Sequence, residues 1–327
     1  MIITQTPLRI SFAGGGTDLP DFFEPHGGAV CSSAIDKFVY CIVKERFDDK
    51  IYVNWSKKEI VDSVDQLEHD LVREAMRKVG VTKGIEISFL SDIPSEGSGL
   101  GSSSTVTVGV LHALYAFVGE TPTAEQLARE ACEIEIRKLG KPIGVQDQYI
   151  AAYGGLRYFQ FGPGKEVKAT PVRIARGTLE DLDNILMLFF TGKTRKADNI
   201  LTKQKANVGA KQDTLKEMTR QAGEVRQLLE AGEVTELGRL LHRSWEAKRK
   251  VTEGTASSSD LDEMYERAVK AGCLGGKIAG AGGGGFFLLV VPGDRRQAVR
   301  QALANLKEMP FRLERGGSRV ALNMQRY

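Results

Sequence analysis

Residues 95 to 114, SEGSGLGSSSTVTVGVLHAL, place a cluster of glycine and serine directly before an apolar, helix-like segment. The start of a helix leaves backbone N–H groups without partners and carries partial positive charge, so small residues there let an anion approach closely. Taken alone, the pattern fits an ordinary serine N-cap after a turn equally well. The segment predicts a helix from about residue 102 to 118 and, if other motifs support it, a phosphate-binding site.

Length and composition bound the class of protein. The chain has 327 residues, 42% of them hydrophobic, which suits one large domain or two medium ones. Lysine and arginine number 45 against 42 acidic residues and form no basic block, so neither nucleic acid nor a membrane surface is an expected partner. The four cysteines show no CxxC pair and the four histidines no metal-ligand spacing. We expect a globular, cytoplasmic protein and leave its oligomeric state open, a homodimer included.

The order of strand-like and helix-like segments predicts an α+β protein of two lobes. Four strand-like stretches precede the first long helix, and TPTAEQLAREACEIEIRKLG reads as a helix that ends at Gly140. The chain becomes strongly helical and charged from residue 208 to 250. We expect a first domain over residues 1–175 and a second over 176–327, the second ending in a helix near 294–308 and an edge strand RVALNM.

Two familiar nucleotide-binding motifs are excluded. Gly280, Gly282 and Gly285 have the spacing GxGxxG, but the segment that follows, FFLLVV, reads as a buried strand rather than a helix. No stretch fits GxxxxGK[ST], and GSGLGSSST lacks the lysine of such a loop. A nucleotide-binding fold of another kind is required.

The first glycine-rich segment, FAGGGTDLPDFF, follows a strand. Alternation places Leu8, Ile10 and Phe12 on one face of that strand, so Arg9 and Ser11 point the other way, toward a site or toward solvent. Thr17 and Asp18 come directly after three glycines at the strand end. Two hydrogen-bonding side chains in such a loop are typical of a grip on a polyol.

With three glycine-rich segments in this order, the chain resembles the GHMP kinases, the family of galactokinase, homoserine kinase, mevalonate kinase and phosphomevalonate kinase. TPLRISFAGGGTDLP resembles the first motif of the family, SEGSGLGSSST its ATP-phosphate loop, and KIAGAGGGGFFLLV its third motif. The resemblance implies an N-terminal lobe like domain 2 of ribosomal protein S5, with a left-handed βαβ unit, and a ferredoxin-like C-terminal lobe. Pattern reading alone would not predict a left-handed crossover.

The resemblance also implies roles for individual residues. Arg9 and Asp147, the latter in KPIGVQDQ, would flank the acceptor hydroxyl, with Asp147 either removing its proton or orienting it. Ser103, with Ser102 as the alternative, and Glu135 would hold Mg²⁺, which leaves Glu130 and Glu133 as surface residues. The ATP phosphates would lie on the phosphate loop, whose members are Gly97, Gly99, Leu100, Gly101, Ser102, Ser103 and Ser104.

One departure from the family pattern restricts which sugar the resemblance implies as the acceptor. Galactokinases carry glutamate and histidine before the TD of the first motif, whereas this chain has glycines there. GGGTDLPDFF, GVQDQYIAAYGG and FFTGKTRKADNIL look more like the kinases of D-glycero-D-manno-heptose 7-phosphate, which implies phosphorylation of the C1 hydroxyl. Thr17 and Asp18 would then hold the sugar, and Lys193 with Arg195 its phosphate. On charge alone, the cationic segment around Lys193 reads equally well as a solvated loop.

Two other functions stay open. One is a different sugar-1-kinase of the family, similar to fucokinase or galactokinase. The other is a catalytically silent sensor that binds ATP and sugar on the same fold.

Overall fold

A computed structural model describes residues 1–94, 97–193, 212–251, 259–280 and 284–324 of the chain, without the side chains of residues 165, 247–251 and 259. Helices and strands alternate through it in an α+β arrangement. The twelve strands in this part are β1 Ile2–Ala13, β2 Gly28–Glu45, β3 Ile51–Asn54, β4 Lys58–Val61, β5 Ile85–Ser91, β6 Leu156–Phe161, β7 Val167–Pro171, β8 Leu186–Phe190, β9 Gly275–Ile278, β10 Phe286–Val290, β11 Lys307–Glu308 and β12 Arg319–Asn323.

The helix predicted from TPTAEQLAREACEIEIRKLG is present and begins after a threonine N-cap, whereas the helix predicted near 102–118 begins after Gly101 without a side-chain cap. Thr123, directly before α4, accepts a hydrogen bond from the backbone N–H of Gln126, as an N-cap does. The helix predicted near 102–118 is present as α3. The α-helices of the described part are α1 Pro20–His26, α2 Asp70–Val79, α3 Ser102–Phe117, α4 Ala124–Cys132, α5 Gln146–Tyr153, α6 Arg176–Ile185, α7 Gln212–Ala231, α8 Val234–Val251, α9 Ser259–Lys270 and α10 Arg296–Ala302.

The larger sheet has eight strands, six of them in the order β12-β1-β2-β5-β3-β4. The 18-residue strand β2 also pairs through its first half with β6, which in turn pairs with β7. β3 and β5 are parallel and α2 lies between them in the chain, so they form a βαβ unit. This sheet is the frame on which Arg9 of β1 is placed.

The smaller sheet has four antiparallel strands in the order β11-β8-β10-β9. One of its faces packs with Leu8, Ile10 and Phe12 of β1 and with helices α7 and α8, in a hydrophobic core shared by the two lobes. Its other face packs against Trp245, Tyr265 and neighbouring apolar residues. The predicted common face of Leu8, Ile10 and Phe12 is thus confirmed, and the shared core fixes the two lobes against each other.

The C-terminal part of the chain differs from the prediction in two respects. The helix expected near 294–308 covers only 296–302, and residues 307–308 form a short strand on β8. RVALNM is an edge strand as predicted, but it pairs with β1 of the larger sheet. The last strand, β12, lies in the part of the chain predicted to form the second domain, 176–327. Its backbone hydrogen bonds instead make it part of the larger sheet, in the first lobe.

The second and third glycine-rich segments pack backbone against backbone. A Cβ on Gly99 would lie 2.6 Å from the carbonyl oxygen of Ala279, and a Cβ on Gly280 would lie 2.5 Å from the Cα of Gly99. Real side chains do not tolerate such distances. The third segment thus supports the phosphate loop.

None of the described helices is long and apolar enough to cross a membrane.

Candidate active site

Arg9 and Asp147 form a bidentate ion pair between β1 and the first turn of α5. Arg9 Nε donates to Asp147 Oδ1 at 2.7 Å and Arg9 Nη2 to Oδ2 at 2.7 Å, while Nη1 donates to the carbonyl of Gly99 at 2.6 Å. The arginine side chain is 5% exposed and that of Asp147 is 23% exposed. The pair is therefore fixed in orientation and presents the carboxylate, rather than the guanidinium, to approaching molecules.

The pair adjoins the start of α3. Gly101 is the residue before α3 and has φ +81°, a left-handed conformation that glycine adopts without strain. A Cβ at this position would lie 3.4 Å from Asp147 Oδ2 and 3.3 Å from Arg9 Cγ. The structure therefore brings the two predicted catalytic residues within contact distance of the helix tip that is predicted to hold phosphate.

The serines of the phosphate loop differ in their contacts: one holds the loop together and another lies beside Glu135. Ser102 is buried and its hydroxyl bonds that of Ser98 at 3.0 Å, so it closes the loop on itself. Ser103 is exposed and donates to Glu135 Oε2 at 3.0 Å. Leu100 is fully buried, which leaves only its backbone for a ligand. This geometry favours Ser103 over Ser102 as the residue beside Glu135.

Glu135 is a fully buried carboxylate in a π-helical turn, Glu133–Lys138, that directly follows α4. Its Oε2 accepts hydrogen bonds from Ser103 and from Ser104, the latter at 3.3 Å, and its Oε1 accepts from Gln148 Nε2 at 3.3 Å. Burial raises the pKa of Glu135 above its usual range. A buried carboxylate beside serine hydroxyls is a set of oxygen donors that fits Mg²⁺.

Glu135→Gln is expected to raise the free energy of unfolding of the protein without Mg²⁺ and nucleotide by about 1 kcal/mol at pH 8. Because the folded-state pKa lies above the usual 4.5, the folded state holds the proton more tightly than the unfolded state, and ionisation above that pKa costs stability. The gain should shrink as the pH falls through the folded-state pKa and disappear below the unfolded-state value of 4.5, where both states become protonated. Thermal unfolding of variant and wild type across this pH range measures the difference.

Glu133→Gln is the matched control for this prediction. Hydrogen bonding to Lys78, at 2.8 Å, lowers the pKa of Glu133, so its ionised form stabilises the folded state. The control should lose a few tenths of a kcal/mol near neutral pH, the opposite sign, because the pair is partly exposed. A stability difference for Glu135→Gln that stays constant from pH 4 to 8 would contradict the prediction.

Asp18 and Thr17 occupy the loop after β1 in different ways. Asp18 is 4% exposed, and its Oδ2 accepts hydrogen bonds from the backbone N–H of Gln146 at 3.3 Å and from its Nε2 at 3.1 Å. Burial, and then the negative charge of Asp147, raise the pKa of Asp18. Thr17 is fully buried, and its hydroxyl bonds Gly14 and Ala29. The expectation that Thr17 grips the sugar directly does not fit this placement, since its hydroxyl holds the loop.

The predicted phosphate-binding cations are only partly described. Lys193 lies after β8, and its ammonium forms an ion pair with Asp260. Its carbonyl accepts a hydrogen bond from the backbone N–H of Gly285, at 2.8 Å, in the third glycine-rich segment. Arg195 lies outside the described residues. The structure thus places Lys193 beside the third glycine-rich segment and leaves the prediction for Arg195 as it stands.

Two residues were not singled out by the sequence and one surface prediction was wrong. Gln146 and Gln148 flank Asp147 and bond Asp18 and Glu135, and their place in GVQDQ was the only signal for them. Glu130 was expected at the surface but is buried, and there its carboxylate accepts a hydrogen bond from the hydroxyl of Tyr115 at 2.7 Å. Short-range spacing on a helix does not reveal a partner on another helix.

Family models match both halves of the chain. The model of the GHMP kinases N terminal domain matches residues 69–155, and that of the GHMP kinases C terminal domain matches residues 225–308. The first match contains the phosphate loop, Glu135 and Asp147. The second contains the glycine-rich segment that packs on this loop.

Relatives and solved structures agree with these matches. D-glycero-alpha-D-manno-heptose 7-phosphate kinase of Campylobacter jejuni is 31% identical over 318 residues, 92% of this chain and 93% of that protein. L-fucokinase/L-fucose-1-P guanylyltransferase of Bacteroides fragilis is 28% identical over 340 residues, which cover 90% of this chain and 35% of that larger protein.

Among solved structures, a D-glycero-D-manno-heptose 1-phosphate kinase from Bacteroides thetaiotaomicron superposes with a TM-score of 0.82 at 28% identity, over 99% of this chain and 100% of that one. Galactokinase of Lactococcus lactis superposes with a TM-score of 0.75 at 20% identity, over 97% and 94%, which shows a shared fold. The expected two-lobed GHMP kinase fold is confirmed. The chain belongs to the GHMP kinase family and is a sugar kinase, an enzyme that transfers phosphate to a hydroxyl group.

Proposed function

We propose that this kinase transfers the γ-phosphate of ATP to the C1 hydroxyl of D-glycero-D-manno-heptose 7-phosphate and so forms the 1,7-bisphosphate. Such a product is a substrate for the synthesis of nucleotide-activated heptose. The observation that carries the proposal is the contact of the Arg9–Asp147 pair with the tip of α3. The resemblance to the Campylobacter jejuni enzyme, over nearly the whole of both chains, supports this acceptor.

The donor is bound by the phosphate loop and the start of α3. The first backbone N–H groups of α3 would be open to an anion, because Gly101 directly before the helix has no side chain, and Gly97, Gly99 and Gly101 all adopt positive φ in this loop. Ser103 and Glu135 would hold Mg²⁺, which neutralises charge on the phosphates of bound ATP. Replacing Glu135 by glutamine would therefore stabilise the folded protein but remove one of the two proposed ligands of the cation.

The acceptor hydroxyl lies next to the exposed part of the Asp147 carboxylate, whose side chain is otherwise mostly buried. Asp147 accepts the hydrogen bond of this hydroxyl and aligns its oxygen with the γ-phosphorus, and Arg9 supplies fixed positive charge beside the transferring group. Asp18, held by Gln146, accepts from a neighbouring hydroxyl of the sugar. Loose transition states of phosphoryl transfer require little help from a base, so the orienting role is sufficient for Asp147.

Gly15, in the loop before Asp18, leaves space for the part of the sugar that carries its phosphate. The ideal Cβ of Gly15 would meet only side-chain atoms of Gln146 and Ser11, at 3.7 and 3.9 Å, so this edge of the loop is open. Lys193 and Arg195 provide positive charge for a phosphate there, in our proposal. Galactose and fucose lack that phosphate and would not make these contacts.

A substrate panel read by phosphorus NMR tests the proposal. The purified enzyme with Mg²⁺ and ATP is given the heptose 7-phosphate, the heptose 1-phosphate, galactose, fucose or no acceptor. We expect a new anomeric phosphate resonance only with the 7-phosphate, at a rate at least 10²-fold above the other acceptors. Turnover of free galactose or fucose would favour a fucokinase- or galactokinase-like activity instead. Turnover of the 1-phosphate would place the accepting hydroxyl elsewhere, and binding without any turnover would indicate a sensor.

The cellular setting is part of the same proposal. The four cysteines are free thiols in the structure, three of them buried. Reduced thiols and a phosphorylated substrate are typical of a cytoplasmic enzyme. We propose small-molecule partners, ATP and a sugar phosphate, for this chain.

A further inference from the structure

A partly open cavity lies in the first lobe beside the loop that carries Asp18. It has a volume of about 220 Å³ and is bounded by α1, the α4 helix with its π-helical turn, and the start of α5. Its floor is apolar, with side chains of Leu19, Phe23, Val145 and Tyr149. None of Arg9, Ser103 or Asp147 lines it. The cavity is therefore separate from the predicted site of phosphate transfer.

Charged side chains of both signs surround this apolar floor, with the carboxylates Asp21 and Glu133 on the negative side. Arg129, Arg137 and Lys141 line the cavity, and both arginines are exposed. Among the described residues, neither arginine has a side-chain hydrogen bond or a close ion pair, although the charge of Arg137 acts on Glu133. Glu133, which also lines the cavity, is occupied by Lys78 on its other side at 2.8 Å. Two exposed guanidinium groups thus lie at the edge of a partly open apolar space.

The walls of the cavity are bonded to the active site. The backbone N–H of Lys141 donates to the carbonyl of Glu135 at 2.9 Å, and that of Val145 donates to the carbonyl of Asp18 at 3.1 Å. Tyr149 lies one residue beyond Gln148 on α5, in the helix that carries Asp147. A molecule that fills the cavity would therefore bear directly on the segments that position the acceptor.

We propose that this cavity is an effector site for a small anion with an apolar part, of the class of aryl or alkyl phosphates. The phosphate is held by Arg129 and Arg137, whose planar guanidinium groups suit bidentate contacts. The apolar part lies on Leu19, Phe23 and Tyr149. Occupancy changes the affinity for the acceptor through the backbone bonds to Asp18 and Glu135, a consequence that rests on the proposed function.

Phenyl phosphate is the probe, because its eleven heavy atoms fit the cavity and include both an anion and an apolar ring. Its binding is measured by ligand-observed NMR with saturating AMP-PNP and Mg²⁺, so that the catalytic phosphate site is filled. We expect a Kd on the order of 1 mM. The double variant Arg129→Ala, Arg137→Ala should weaken it at least 10-fold, and inorganic phosphate should bind at least 10-fold more weakly than phenyl phosphate.

The control variant Lys138→Ala, Arg173→Ala also removes two exposed cations, neither of which lines the cavity, and should change the Kd less than twofold. An unchanged Kd in the arginine variant would overturn the proposal. So would loss of binding on addition of AMP-PNP, or equal binding of inorganic phosphate. These binding measurements require no turnover, so they can be interpreted even if the proposed kinase activity is not found. In an active enzyme, a KM for the acceptor unchanged by saturating phenyl phosphate would overturn the effector role.

Discussion

Asp147→Asn is expected to lower kcat by about 10²-fold or more while the affinity for ATP changes little. Asparagine keeps the shape of the side chain but loses one of the two charged oxygens that Arg9 binds at 2.7 Å. The acceptor hydroxyl then loses the carboxylate that orients it, whereas the phosphate loop is untouched. Steady-state kinetics with the heptose 7-phosphate and a separate nucleotide titration measure the two quantities.

Asp48→Asn is the matched control. Asp48 forms the same kind of bidentate pair with Arg46, at 2.9 and 2.7 Å, in the turn after β2 and outside the site. The control should keep kcat within twofold of the wild type, although it also disrupts an arginine–aspartate pair. If Asp147→Asn retained full kcat, Asp147 would have no part in the transfer.

Arg9→Lys is expected to lower kcat by about 10²-fold as well. A single ammonium cannot reproduce the fork that bonds both oxygens of Asp147 and the carbonyl of Gly99 at once. The fixed charge beside the transferring phosphate is therefore displaced. The same kinetic assay measures the loss, with Arg46→Lys as the control that should have an effect below twofold.

The double variant Arg9→Lys, Asp147→Asn separates a shared role from two independent ones. Because the two side chains act as one bonded unit, the double variant should lose about as much as either single variant. Losses that multiply to about 10⁴-fold would show that the two residues contribute separately. Thermal unfolding of each variant checks that the measured losses are not losses of folded protein.

Local patterns predicted much of the fold. Alternation in β1 assigned Leu8, Ile10 and Phe12 to one face, and the Gly and Ser cluster placed the start of α3 at Ser102, because both signals depend on neighbours only a few residues apart. The pairing of β12 with β1 was not predictable in this way. An edge strand carries no mark of the sheet that it joins, since any exposed strand offers the same backbone groups.

The candidate site shows the same division. The motifs indicated Arg9, Ser103, Glu135 and Asp147 as a group, and the structure brings them together at one helix tip. The sequence did not indicate that the hydroxyl of Thr17 turns into its own loop. That outcome depends on the position of Ala29, a contact set by the packing of two strands.

The sequence by itself determined the family, the order of the three glycine-rich segments and the residue types that the chemistry needs, since these are properties of short stretches. Only the tertiary structure decided that Glu135 is fully buried, that Ser103 rather than Ser102 faces it, and that Gly99 and Gly280 touch. Burial and contact arise from segments more than thirty residues apart in the chain, as between Ser103 and Glu135. No pattern within a single segment contains the distance between two segments, because packing alone sets it.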